Sequence, residues 1–110
     1  LKIFTEDGSA GEIGRVTDLL AEMIQEHDIR VIYSCGPMAM LQAVSEIAID
    51  ADIAHQAAVE ESMACGVGIC MTCVMPVKDL NGEVKNLRSC IDGPVMDGEA
   101  VQWHLVGKQL

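Results

Sequence analysis

Along the chain the apolar positions first gather in "LKIFT" (residues 1–5), a run short and continuous enough for a buried strand. The Gly, Ser and Asp of "EDGSAGEIG" then mark a loop. From Val16 the apolar residues recur at Val16, Leu19, Leu20, Met23 and Ile24, the i, i+3, i+4 spacing of a helix packed on one face. His27 near its end suits a helix C-terminus, where a cation is favoured, so its expected role is structural. "IRVIYS" (29–34) is β-branched and continuously apolar, as in a strand covered on both faces. In "CGPMAM", Gly36 permits a tight turn and Pro37 suits the first helical position. Met40, Leu41, Val44, Ile47 and Ala48 carry the helical stripe onward, and "IAHQAAVE" (53–60) reads as a returning strand.

After Glu60 the pattern changes. Small residues and cysteines dominate as far as Cys73, "VMPV" follows as a short strand, and Asn81-Gly82 is a strong hairpin signal. Cys90 lies beyond the returning strand. "DGPVMDGEAVQW" has the Gly, Pro and Asp of a tight loop before a last apolar stretch. The alternation of strands and helices in the first half predicts an α/β fold, a partial doubly wound parallel sheet, followed by a small irregular β module. The expected boundary lies near residue 60, giving domains 1–60 and 61–110.

The chain has 110 residues, 50% of them hydrophobic, enough for one compact domain or two very small ones. With one each of Phe, Tyr and Trp, the core falls to aliphatic residues and to seven Met, which pack adaptably. A formal charge of -10 argues against nucleic acid, whose binding draws on Lys and Arg, and favours a basic surface on any protein partner. No apolar run reaches the roughly 18 residues of a membrane helix, and no signal-peptide layout opens the sequence, so a cytoplasmic protein without a membrane partner is expected. The opening at Leu1, directly on a strand, reads as a piece of a longer chain.

Chemistry concentrates in "CGVGICMTC" (65–73). The downstream cysteines read Cys65-x4-Cys70-x2-Cys73-x16-Cys90, with Cys35 far upstream. An odd total of five makes a disulfide framework a poor reading. A zinc staple prefers two C-x2-C pairs, and only Cys70 and Cys73 make one. The run C-x4-C-x2-C with a distant fourth cysteine is the ligand spacing of plant-type 2Fe-2S centres. Gly66 and Gly68 let the loop curl and aim N–H groups at sulfur, while none of His27, His55 and His104 lies in the loop to build a Rieske centre. A 2Fe-2S cluster on Cys65, Cys70, Cys73 and Cys90 is therefore the leading reading, and a zinc-stapled interaction module the alternative of another class. Cys35 opens a strand-to-helix turn at the carboxyl edge of the sheet, where a helix N-terminus favours anions such as pyrophosphate. "EDGS" is expected at the same edge.

Taken together, "FTEDGSAGEIGRVTDLL", "YSCGPMAMLQAV" and "ESMACGVGICMTCVMPVK...RSCIDGPVMDGE" resemble the carboxyl half of the electron-transfer subunits of bacterial two-subunit dihydroorotate dehydrogenases, which are ferredoxin-reductase-like proteins. The resemblance spans nearly the whole chain, with its motifs in order. It implies an amino-terminal FAD barrel, an NAD(H)-binding domain and a carboxyl-terminal 2Fe-2S module whose ligands fall on the four cysteines named above. It places Cys35, Gly36 and Pro37 near the nicotinamide, and matches Glu6, Asp7 and Gly8 to an acidic loop of the family. The FAD barrel and the glycine-rich first part of the nucleotide domain are absent from these residues.

NADH gives up a hydride, whereas a 2Fe-2S cluster accepts one electron at a time, so a flavin must divide the pair. No flavin site is evident in this sequence, and the chain is not expected to oxidise NADH alone. The resemblance implies a route from NADH through FAD and the cluster to FMN in a dihydroorotate dehydrogenase catalytic subunit, in a heterotetramer serving pyrimidine synthesis. The gap before Cys90 is longer than in that family, the extra length falling in "KDLNGEVKN". Sulfide dehydrogenase and the small subunit of NADH-dependent ferredoxin:NADP oxidoreductases share the architecture and stand as alternatives.

Overall fold

A computed structural model describes residues 1–108, which form two compact units, Leu1–Arg30 and the chain from Val31 onward. In the first unit, β1 (Phe4–Thr5) pairs in parallel with β2 (Glu12–Ile13). The opening strand is thus only two residues long and lies in a two-stranded ladder of its own rather than in a wider parallel sheet. The loop between them folds on itself because Thr5 Oγ1 donates to the Ala10 carbonyl at 2.8 Å, competing with a longer ladder. Helix α1 (Val16–Glu26) follows, as the periodicity predicts. The Asp18 carboxylate accepts the Arg15 N–H at 3.0 Å, satisfying a donor at the helix start, and His27 ends the helix with its N–H on the Met23 carbonyl.

The second unit is built on a three-stranded sheet. β3 (Val31–Cys35) runs parallel to β4 (Ala54–Ala58), and the connection between them is α2 (Met38–Asp50). This strand-helix-strand unit establishes the α/β class. Pro37 sits one residue before the first helical position, at the N-cap, where its carbonyl accepts the N–H groups of Met40 and Leu41 at 2.9 and 3.0 Å. On α2 the buried face carries Leu41, Val44, Ser45 and Ala48.

From β4 the chain leaves the sheet, forms the hairpin β5 (Val74–Lys78) and β6 (Val84–Arg88), then the single turn α3 (Ser89–Asp92), and returns as β7 (Val95–Asp97). The hairpin pairs Val74 with Arg88 and closes through Asp79, whose Oδ1 accepts the N–H groups of Asn81 and Glu83 at 2.8 and 3.0 Å. β7 lies antiparallel to β4, with Ala58 opposite Val95. The stretch read as a tight loop therefore contains a strand of the main sheet, and the β4–β7 ladder crosses the boundary expected near residue 60. One core joins the two sides of that boundary: Leu41, Ala57 and Val59 pack with Met75, Met96 and Val101. Burying such side chains stabilises each by roughly 1.5–3 kcal/mol relative to exposure. Trp103, in the closing turn Trp103–Leu105, packs against this core and donates its Nε1 hydrogen to the Gly98 carbonyl at 2.9 Å.

Candidate functional site

The loop between β4 and β5 curls because its backbone enters the left-handed region at Gly66, Gly68 and Met71. Gly68, at φ 79, holds a conformation that side chains rarely adopt, and a Cβ there would stand 2.6 Å from Ile91 Cδ1 on α3, which would have to move. The curl turns backbone donors inward. The Val67 and Ile69 N–H groups point at Cys65 Sγ at 3.4 and 3.3 Å.

The hairpin supplies the remote cysteine. Cys73 precedes β5 and Cys90 follows β6 in α3, so antiparallel pairing returns Cys90 to the loop. Two bonds fasten the junction: the Ser89 N–H donates to the Cys73 carbonyl at 3.0 Å, and Arg88 Nη1 donates to the Gly68 carbonyl at 2.7 Å. Sequence reasoning did not single out Arg88. A cation six residues past Gly82 at the hairpin tip resembles any surface arginine until the loop is in place.

The four thiols influence one another's protonation in two pairs, Cys65 with Cys70 and Cys73 with Cys90. The Cys65 thiol is drawn down to about 6, first by the Cys70 N–H and then by those of Val67 and Ile69. The Thr72 hydroxyl, 3.1 Å from Cys70 Sγ, is the main cause that lowers Cys70. Cys73 is lowered chiefly by the Cys90 N–H, whereas burial and then the Cys73 side chain push Cys90 up. Among the described residues no three Cys, His, Asp or Glu side chains converge on a single-ion position. Two thiol pairs supplied with N–H donors suit a two-ended anionic group better than a lone tetrahedral ion.

The nucleotide candidates divide between the units. In the first, Gly8 adopts φ 72 in the β1–β2 loop, and the Ser9 N–H, 2.9 Å from Asp7 Oδ1, holds the Asp7 carboxyl below the usual range. Glu6 faces Arg15 across 3.9 Å. In the second, Cys35, Gly36 and Pro37 form the turn from β3 into α2, with an exposed Cys35 at its start. Behind it, Ser34 Oγ lies 2.6 Å from Nε2 of buried His55, a pair that strand periodicity alone does not reveal.

A cysteine-lined loop with inward N–H groups beside a parallel strand-helix-strand unit is an arrangement that an iron-sulfur protein would need. Residues 60–102 match the family model of the iron-sulfur cluster binding domain of dihydroorotate dehydrogenase B. Over 99 residues the chain is 44% identical to the electron transfer subunit of dihydroorotate dehydrogenase B (NAD(+)) from Caldanaerobacter subterraneus subsp. tengcongensis, covering 90% of this chain and 39% of that subunit. The corresponding subunit of Listeria monocytogenes is 45% identical over 100 residues, covering 91% and 37%. The chain therefore spans less than two-fifths of the length of these relatives. Among solved structures it is similar to that of an NADH-dependent reduced ferredoxin-NADP oxidoreductase concerned with flavin-based electron bifurcation. That similarity has a TM-score of 0.78 at 29% identity and covers 94% of this chain and 36% of that one.

Proposed function

We infer that this chain is part of an electron transfer subunit that relays electrons between NAD(H) with FAD and a flavin catalytic subunit, in dihydroorotate oxidation. The observation that carries the reading is the meeting of Cys65 with Cys70 and of Cys73 with Cys90 in a stretch of the iron-sulfur family. Those four cysteines would hold a 2Fe-2S cluster, which supplies one-electron chemistry when bound. The chain's own contribution is to preorganise the thiols: Val67 and Ile69 present N–H groups, Gly68 lets the loop close, and Arg88 locks it to the hairpin.

In this reading residues 61–110 are the cluster module, and residues 1–60 are the later part of an NAD-binding domain with a doubly wound sheet. Glu6, Asp7, Gly8, Cys35, Gly36 and Pro37 lie toward the nucleotide. FAD and NAD(H) bind to the longer protein, and the partner is an FMN-containing dihydroorotate dehydrogenase catalytic subunit in a heterotetramer. Five free thiols suit a reducing, cytoplasmic setting. A second reading, a subunit of a ferredoxin:NADP oxidoreductase, is favoured by the structural likeness to such an enzyme.

Aerobically purified protein should be red-brown with about two irons and two sulfides per chain, and each of C65S, C70S, C73S and C90S should lose that colour. A colourless protein with one zinc sinks the reading in favour of a zinc-stapled module. The partner is tested by mixing the iron-loaded protein, in its longer form, with the dihydroorotate dehydrogenase catalytic subunit. Dihydroorotate-dependent bleaching supports the first reading, and bleaching only with reduced ferredoxin and NADPH supports the second.

A further inference from the structure

Two hydroxyls stand at the cysteine pairs with no other recipient for their hydrogens. Thr72 Oγ1 accepts the Ala64 N–H at 3.3 Å and lies 3.1 Å from Cys70 Sγ. Once Cys70 is an iron-bound thiolate it cannot donate, so the threonine must. Ser89 is 2% exposed and opens α3, yet the helix makes no use of its side chain. Arg88 takes the cap position, and its N–H goes to Asp92 Oδ2 at 2.7 Å. Ser89 Oγ is left buried without a hydrogen-bond partner, on a residue whose N–H is bonded to the Cys73 carbonyl at 3.0 Å. One hydroxyl thus stands on a residue beside each thiol pair.

We propose that Thr72 and Ser89 raise the reduction potential of the centre held by the four cysteines, by donating hydroxyl hydrogen bonds to the sulfurs of Cys70 and Cys73. The inference rests on the 2Fe-2S reading above. Reduction adds one electron and no proton to an already anionic group, and a donor on a ligand sulfur stabilises the more negative form more strongly. The bond from Ser89 acts in a buried, low-dielectric place, and that from Thr72 at the exposed end of the loop. Both are positioning and tuning groups, and neither is a ligand.

The test is a mediated potentiometric titration of the iron-loaded protein, followed by visible bleaching, for the parent and for T72V, T72S and S89A. T72V and S89A should each disfavour the reduced form about tenfold, a fall of about 59 mV for a one-electron couple, with iron and sulfide content unchanged. T72S, which keeps the hydroxyl, should stay at the parent value. Unmoved potentials in iron-loaded T72V and S89A overturn the proposal. So does a T72S shift as large as that of T72V, which would assign the effect to packing. Loss of iron from both T72V and S89A also overturns it, by making the hydroxyls necessary for assembly. A parent protein without iron removes the cluster reading itself, an outcome distinct from an iron-loaded parent whose variants do not move.

Discussion

The imidazole of His55 is 2% exposed, shares a hydrogen with Ser34 through Nε2, and presents Nδ1 to Gly98 with no partner. A Cβ at Gly98 would overlap that ring, so the contact admits no larger residue. A second ring proton would find no acceptor there. Burial accordingly holds His55 below its ordinary value, against a smaller upward pull from Asp97. The folded chain binds this proton more weakly than the unfolded chain does, so unfolding takes up a proton in acid. Stability is full above about pH 6.5, the unfolded value, and is lost as pH falls from there toward the folded value. Urea midpoints measured between pH 5 and 7.5 should show that slope, and H55Q should flatten it; an equal slope in both would assign acid sensitivity elsewhere. In the sequence His55 was legible only as a histidine outside the cysteine loop. Its burial depends on β3 and β4 coming into register, with Ile32 opposite it. The cysteines, by contrast, carry their chemistry in their spacing.

At the scale of elements, the hairpin and the two long helices were readable because their signals are local: Asn81-Gly82 for the turn, apolar recurrence for α1 and α2. β7 was not. Three residues flanked by Pro94, Asp97 and Gly98 look like a turn, and they become a strand only because β4 offers them an edge thirty-seven positions upstream, Ala58 against Val95. Likewise β1 reads as a longer strand until the Thr5 side chain takes up the loop backbone. Arg88 belongs to this scale too, since it ties one element to another through the Gly68 carbonyl. Its removal costs a charged hydrogen bond, about 1.5 kcal/mol at this half-exposed position. R88A should therefore release iron to a chelator several times faster than the parent, with R88K intermediate. Equal release rates would show that the glycine loop holds its curl unaided.

Within the unit from Val31 onward, α2 covers one face of the β3-β4-β7 sheet, and among the described residues of that unit the other face is exposed. Val31, Tyr33, Cys35 and Val95 alternate onto the bare face, with Tyr33 76% exposed. Parallel pairs such as β3–β4 are ordinarily covered on both faces, and apolar sheet left open promotes association. The 110-residue chain by itself should elute above its monomer mass despite a charge of -10, and Y33K with V95K should return it toward monomer without changing its far-ultraviolet spectrum. Monomeric elution of the parent would contradict this. The antiparallel return of β7 has a different consequence. Because the chain departs at Ala58 and comes back at Val95 directly opposite, everything between is an insertion inside a strand pair rather than an appendage to it. Residues added at the hairpin tip, two at a time, lengthen the insertion without shifting the sheet or separating Cys73 from Cys90. The spacing between Cys73 and Cys90 can thus change at the hairpin tip while the antiparallel pairing still returns one to the other.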